Sequence, residues 1–273
     1  MKLSCRNQKN AVAVAAWWNK PLDNADWYKV NALSADEAEI LIYDVIGWPF
    51  NDARDLVNTI GQISQGTIVV RINSPGGDVF DALSIFNALS ADKSHKIITR
   101  IEALAASSAS IIALAGAEVQ AYKNTMYMIH EPWSCMCGDQ HEMREVADIL
   151  QKISANMVDI YADHSKVGKK EIRDMLQAET WFTAKEAKER GFIDTIVDGK
   201  VAQAKFDLSV FDNVPDDLID DAGLTERDAE KALRDAGFSR SRAKAMLAGR
   251  RPATDDTREI KGSLEKLIST ISQ

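Results

Sequence analysis

Apolar and polar positions alternate in blocks between residues 39 and 197, and the blocks have the lengths of strands and helices in turn. Short apolar runs predict strands at 39–44, 67–72, 96–101, 119–121, 126–129 and 194–197, and helical spacing predicts helices at 52–63, 79–89, 141–164 and 169–176. Because strands and helices take turns, we expect right-handed crossovers and an α/β fold with a parallel sheet covered on both faces.

The stretch between Arg100 and Gly116 consists almost entirely of Ala, Ser, Ile and Leu. This composition predicts a buried helix within the stretch 102–115, since a helix that is apolar all round has no face for water. Ser107 lies near its predicted start, where free N–H groups and the positive end of the helix dipole stabilise negative charge. Ser108 and Ser110 point elsewhere, and a serine inside a helix usually bonds back to a carbonyl one turn earlier.

Two further features follow predicted strands. The pair Gly76-Gly77 comes after the strand 67–72, and glycines at such a strand end free the backbone to present N–H groups to a ligand. His130 closes the strand 126–129 and precedes Glu131 and Pro132. A single histidine is more often structural than catalytic. We therefore treat His130 as a catalytic candidate only in combination with the serine and the glycine pair.

Taken together, these motifs resemble the Clp-type serine peptidases, and within them the phage-associated branch of head-maturation proteases. The matching stretches are 72–78, 105–107, 129–133 and 179–194, within a region of resemblance from about 38 to 197. The resemblance implies a Clp/crotonase-like fold of repeated strand-helix units. It also implies Ser107 as nucleophile, His130 as base and the backbone N–H groups of Gly77 and Ser108 as oxyanion donors.

The resemblance leaves the third catalytic member open. In the Clp peptidases an Asp precedes the motif that begins here at Trp181, and a direct count back does not reach an acid. Asp174 and Glu179 are the acids within reach. We favour Glu179 slightly as the residue that orients His130, and an N-terminal capping role for Glu179 is the alternative.

Charge and composition restrict the kinds of partner, compartment and cofactor that we expect for this chain. The net charge is −8 and no long basic run is present, so nucleic acid is not an expected partner. The apolar run 11–18 is too short to span a bilayer, and the three cysteines form no CxxC pair, which together predict a cytoplasmic protein without disulfides. Without a P-loop, a Rossmann fingerprint or a metal-ligand cluster we expect no cofactor or metal, so any ATP dependence would reside in a partner.

The expected organisation is an N-terminal arm (1–37), a peptidase domain (38–199), an acidic linker (200–223) and a helical C-terminal tail (224–273). We expect the core to be complete by about Val197. The basic helices and amphipathic last segment of the tail suggest docking to a capsid or scaffolding protein, with folding back onto the body as the alternative. The tryptophan-rich arm has two interpretations, an arm on the body or a neighbouring subunit and ordinary core.

The predicted function is therefore a serine endopeptidase that acts on polypeptides. The resemblance implies capsid or scaffold proteins as substrates and assembly into a homo-oligomeric ring. The competing class is a scaffold subunit of the same fold or an acyl-thioester hydratase, whose glycine N–H pairs polarise a thioester. Ser107 and the His130-Glu131-Pro132 run after a strand favour the peptidase.

Overall fold

The computed structural model describes residues 27–134, 136, 138–199, 206, 208, 210–215 and 218. The strands are β1 (Tyr28–Ala32), β2 (Glu37–Ile42), β3 (Thr67–Ser74), β4 (Lys96–Ala106), β5 (Glu118–Tyr122), β6 (Met126–Ile129), β7 (Thr180–Thr183) and β8 (Thr195–Val197). The helices are α1 (Ala53–Ile60), α2 (Val79–Ala91), α3 (Ser108–Ala113), α4 (Gln140–Asp163), α5 (Lys169–Gln177) and α6 (Ala184–Arg190). The chain divides into two compact units, Met1–Pro215 and Asp216–Gln273, and these elements lie in the first.

The strands form one sheet whose main path runs β1-β2-β3-β4-β5-β8. Strands β2, β3, β4, β5 and β8 are parallel, as predicted, and β1 adds an antiparallel edge. The sheet branches along β4: its first half pairs with β5, whereas Leu104–Ala106 pair with Met126–Met128 of β6. Strand β6 also pairs with β7 in antiparallel fashion. This branch brings the end of β6 beside the end of β4.

One face of the sheet carries the main core. Branched aliphatic residues alternate along β2, β3 and β4, and they are less than 5% exposed: Ile40, Ile42, Ile68, Val70, Ile72, Ile97 and Ile101. Helices α1 and α2 bury one face each in the same core, through side chains such as Leu56, Ile85 and Leu89. Each buried side chain of this size contributes about 1.5–3 kcal/mol to folding.

The other face of the sheet differs along its length. Towards the carboxyl ends of the strands it carries a second apolar cluster that includes Leu104, Met128 and Phe211. Further towards the amino ends, Glu39, Arg71 and Glu102 form a charged cluster. Cover on this face therefore comes partly from residues far along the chain, where the alternating pattern alone predicted ordinary α/β cover.

Two expectations from the sequence are wrong. Residues 102–106 are strand, because β4 continues to Ala106 and the helix begins only at Ser108. Pairing with β3 and β6 satisfies this backbone on both sides, which outweighs the helix propensity of alanine and leucine. The core is also not complete at Val197, since Phe211 is 7% exposed and packs in the second cluster.

Other predictions concern the tryptophans, two histidines, the C-terminal tail and membrane-spanning segments. Trp27 lies in the main core, whereas Trp17, Trp18 and the helical tail 224–273 lie outside the described residues. His141 and His164 are exposed, as expected for surface residues. No helix within the described residues is both long and apolar enough to cross a membrane.

Candidate active site

Ser107 occupies the sharp junction between β4 and α3. Its backbone has φ 53° and ψ −128°, a conformation that costs a non-glycine residue on the order of 1–3 kcal/mol. The N–H of Ser107 donates to the carbonyl of Met128 at 3.0 Å, and the N–H of Ser110 donates to the carbonyl of Ser107 at 3.0 Å. These bonds from the neighbouring strand and the following helix hold the strained turn. The turn places the Ser107 side chain at the carboxyl edge of the sheet.

His130 follows β6 and meets this serine. The Ser107 Oγ lies 2.7 Å from the His130 Nε2, so the hydroxyl can donate to a neutral imidazole. The ring is buried, at 8% exposure. Burial lowers the pKa of His130, and the carboxylates of Glu179 and Asp212 counteract this only in part. The imidazole is consequently held neutral, the state in which it can accept a proton, to lower pH than an ordinary histidine.

Glu179 lies on the other side of the His130 ring, in the turn between α5 and β7. Its Oε2 is 3.8 Å from the His130 Nδ1, which is an electrostatic contact longer than a hydrogen bond. Such contacts are often long before substrate binds and tighten in the complex. Ser107 and Glu179 are the two non-glycine residues in the described part of the chain that have positive φ, at 53° and 46°.

Asp174, the alternative acid, points away from this centre. Its carboxylate is 65% exposed and pairs with Lys170 at 3.4 Å on the surface of α5. The geometry therefore brings Ser107, His130 and Glu179 together and leaves Asp174 outside. The catalytic role of Glu179 remains a prediction, now with the observed proximity behind it.

The glycine pair packs directly against the serine. A Cβ on Gly76 would lie 2.7 Å from the Ser107 Cβ and 3.1 Å from the Ser108 N, so only glycine allows this approach. Gly77 has φ 149° and forms a bridge with Ile46, which fixes the loop over the start of α3. Ser108, the other predicted oxyanion donor, is the first residue of α3. Its backbone N–H is thus among those that a helix start leaves without an intrahelical acceptor.

The remaining serine of α3 has a structural role, as expected. The Ser110 hydroxyl donates to the Ser107 carbonyl at 2.5 Å and lies 2.7 Å from the Tyr161 hydroxyl. Tyr127 donates in turn to the Ser110 carbonyl at 2.9 Å. This buried network ties α3 to α4 and β6, which keeps the helix start in place beneath Ser107.

Sequence reasoning missed one part of the site. Phe211 contacts the His130 ring edge to face, with ring centroids 5.6 Å apart, and the backbone of Asp212 and Asn213 contacts Glu179. These residues fall in the segment interpreted as an acidic linker. Its aromatic residues, Phe206 and Phe211, are the signal that could have separated a packed segment from a solvated one.

Comparisons with known proteins show the family of the chain. A family model described as Clp protease matches residues 24–200, so the chain belongs to the Clp protease family. Similar curated proteins include ATP-dependent Clp protease proteolytic subunits of Bacteroides thetaiotaomicron, 33% identical over 132 residues (48% of this chain, 60% of the relative), and of Bacteroides fragilis, 33% over 132 residues (48% and 63%). The subunit of Streptococcus agalactiae is 32% identical over 140 residues (50% and 71%).

The matched part of this chain spans about six tenths of the length of the Bacteroides relatives. The match to the family model includes Ser107, His130 and Glu179, which all lie within residues 24–200. It does not extend to Phe211, Asp212 and Asn213.

Proposed function

We propose that this protein is a serine endopeptidase that hydrolyses peptide bonds through an acyl-enzyme. The observation that carries the proposal is the 2.7 Å contact between the Ser107 Oγ and the His130 Nε2 at a buried, strained strand-helix junction. Membership of the Clp protease family supports the same reaction class.

In this mechanism the Ser107 oxygen attacks the carbonyl carbon of the scissile bond while His130 Nε2 takes the hydroxyl proton. The N–H groups of Gly77 and Ser108 donate to the oxyanion that forms. The imidazolium then gives its proton to the leaving amine, which departs and leaves an ester on Ser107. A water molecule, deprotonated by His130, hydrolyses the ester and restores the serine.

Glu179 has a supporting part in these steps. Its carboxylate lies on the Nδ1 side of His130, where it selects the tautomer whose Nε2 accepts the proton. It also stabilises the imidazolium that forms during attack. No metal or cofactor takes part in the scheme.

The first test is labelling with a fluorophosphonate, which reacts with activated serines. We expect the wild-type chain to be labelled at Ser107, as located by mass spectrometry of the tryptic peptides, and Ser107→Ala to be unlabelled while keeping its circular dichroism spectrum. Ser110→Ala, at a serine three residues away that bonds to Tyr161, is the matched control and should still be labelled. Equal labelling of wild type and Ser107→Ala would refute the assignment. An unlabelled wild type would favour a scaffold subunit of the same fold.

Assembly and substrate belong to the proposal as well. We infer a homo-oligomeric ring acting on polypeptides in the cytoplasm, and more specifically a phage head-maturation protease, on the strength of the motif resemblance. Co-expression with a phage capsid or scaffolding protein should give cleavage products that are missing with Ser107→Ala. A chain that degrades unfolded casein but leaves capsid and scaffold proteins intact would contradict the head-maturation role and leave the peptidase role standing.

A further inference from the structure

The active site borders a segment that lies beyond the family match at residues 24–200. We call this segment the strap and define it as Phe206, Leu208 and residues 210–215. It belongs to the same compact unit as the sheet. It lies directly against His130 and Glu179. Ser107, His130 and Glu179 themselves come from other parts of the chain, so the strap is an additional part of the site.

The strap is held down by apolar packing. Phe211 is 7% exposed and joins a cluster with Leu104, Ala106 and Met128 at the carboxyl ends of β4 and β6. Phe206, Leu208, Val210 and Val214 pack against the same cluster. A segment with this many apolar contacts stays on the sheet, since several partly buried side chains each add stabilisation. The strap therefore has a defined place in the folded protein.

The Phe211 ring lies between two residues of the site. It meets His130 edge to face, with centroids 5.6 Å apart and an angle of 76°, and it meets Trp181 at 5.7 Å and 79°. Trp181 Nε1 in turn donates to the Glu179 Oε1 at 3.3 Å. The ring thus shields one side of the imidazole from water and links it to the residue that contacts Glu179.

The backbone of the strap grips the Glu179 carboxylate. The Asp212 N–H donates to Oε2 at 3.2 Å and the Asn213 N–H donates to Oε1 at 2.7 Å. The Asn213 Nδ2 also donates to the Ala178 carbonyl at 3.0 Å, which anchors the strap to the same turn. Both carboxylate oxygens are consequently held, and Oε2 is the one that faces His130.

We propose that the strap is a positioning element of the active site: Phe211 excludes water from His130, and the N–H groups of Asp212 and Asn213 orient the Glu179 carboxylate towards Nδ1. This inference rests on the proposed peptidase function for its catalytic meaning. Its structural content, a strap that controls the environment of His130, can be measured separately. The charged groups that act on His130 are Glu179 and Asp212, both of which raise its pKa against the stronger lowering by burial.

The first experiment titrates His130 directly by NMR of full-length protein in which the histidines carry an isotope label. The chain has four histidines, so a His130→Gln sample assigns the resonance. Phe211→Ala should raise the pKa of His130 towards the ordinary value of 6.5, because water gains access to the ring. Val214→Ala removes packing from the same strap without a ring contact to His130, and should leave the titration unchanged. An identical pKa in wild type and Phe211→Ala would overturn the proposal.

The second experiment tests the grip on Glu179 and does not depend on the ring. Asn213→Pro removes the N–H that donates at 2.7 Å, whereas Asn213→Ala keeps it and is the matched control. Because the proline variant loses the shorter of the two backbone bonds that orient the carboxylate, we expect kcat for a peptide ester to fall at least about tenfold with KM little changed. Equal kcat values for the two variants, with matching circular dichroism spectra, would refute the grip.

The two proposals fail in different ways. If the wild type neither reacts with a fluorophosphonate nor hydrolyses esters, the peptidase function is wrong, and the NMR titration still decides whether the strap shields His130. If the wild type is active and Phe211→Ala shows the same His130 pKa and the same acid limb of kcat/KM, the strap is only a structural cover. Should Phe211→Ala fail to fold, Phe211→Leu keeps apolar bulk and repeats the titration with a smaller expected rise.

Discussion

Two clusters of buried and half-buried ionisable groups lie on this sheet, and they are built in opposite ways. In the first, Arg71 of β3 donates to Glu39 at 2.8 Å and to Glu102 at 2.5 Å, and the Tyr43 hydroxyl donates to Glu102 as well. In the second, the candidate active site, the Glu179 Oε2 lies 3.8 Å from the His130 Nδ1. The first cluster is closed by short contacts between full charges, and the second leaves its charged partner at a distance.

The protonation of the two clusters differs accordingly. Burial raises the pKa of Glu39, but hydrogen bonds from Arg71 and Asn31 outweigh it, so the pKa lies below the ordinary value. Burial likewise lowers the pKa of Arg71, and its contacts with Glu102 and Glu39 raise it further than burial lowers it. These groups stay charged at neutral pH. His130 has its pKa lowered by burial and stays neutral, ready to accept a proton. Direct pairing fixes charge, whereas burial without close pairing suits a base.

The largest expected effect is at Glu179, the proposed orienting acid of the second cluster. Glu179→Gln should lower kcat by on the order of 10²- to 10⁴-fold, because the amide neither stabilises the imidazolium nor selects its tautomer as a carboxylate does. Asp174→Asn, at the exposed acid paired with Lys170, should change kcat little. The measurement is hydrolysis of a peptide ester under saturating substrate. The reverse ranking would assign the role to Asp174, and full activity in both variants would indicate a Ser-His dyad.

The first cluster should respond in stability instead. Arg71→Ala leaves the Glu39 and Glu102 carboxylates buried without their shared cation, and breaking such a buried pair costs about 3–5 kcal/mol. Arg71 is itself 31% exposed, so we expect about 3 kcal/mol, at the lower end of that range. The midpoint of urea unfolding measures the loss. Arg54→Ala is the control, since Arg54 makes an exposed pair with Asp52 at 3.9 Å and should cost less than about 1 kcal/mol.

A fall in pH should affect the two clusters differently, so this comparison needs no substitution. Activity needs neutral His130, whose pKa is lowered, so kcat/KM should fall only as pH drops below the ordinary histidine value of 6.5. Glu39 has a lowered pKa in the folded state, so its contribution to stability is present above its ordinary value of 4.5 and is lost as pH falls further. A reversible loss of activity at a pH where the circular dichroism signal is unchanged would show that a group of the site titrates while the fold is intact. An acid limb of kcat/KM at or above pH 6.5 would contradict the lowered pKa of His130.

The smallest effect is expected from the tail. Removal of residues 219–273 leaves the strap and all described contacts of the site in place, and we expect unchanged ester hydrolysis. Truncation after Gly199, in contrast, removes Phe211, Asp212 and Asn213 and should lower kcat. A comparison of the two truncated chains by kinetics and gel filtration separates the strap from the tail. Equal kcat values would show that the strap is dispensable.

Local signals in the sequence were enough for most of the fold. Asp52 caps α1, and Thr183 forms a capping box at the start of α6. Gly191 ends α6 in the left-handed conformation. These devices depend on neighbours within a few residues, so sequence reveals them. The parallel order of the central strands is confirmed because alternating strands and helices permit few topologies.

Sequence patterns could not set the boundary at Ser107 or the role of residues 206–215. Ala103, Ala105 and Ala106 favour a helix locally, and only pairing with β3 and β6 makes them strand. This extension of β4 creates the sharp turn that exposes the Ser107 hydroxyl. Likewise, the acidic composition and the proline of residues 206–215 predict a solvated segment. Only the tertiary structure shows that Phe211 packs against His130.

The sequence by itself therefore determined the α/β class, the central strands and helices, and the identity of Ser107, His130 and the glycine pair as candidates. Tertiary structure alone decided which acid stands beside His130 and which segment encloses it. The reason is physical: capping and periodicity act over a few residues, whereas the contact between Glu179 and Asn213 spans 34 positions and exists only after the sheet has formed. Burial of His130, and with it the lowered pKa, arises from the same long-range packing.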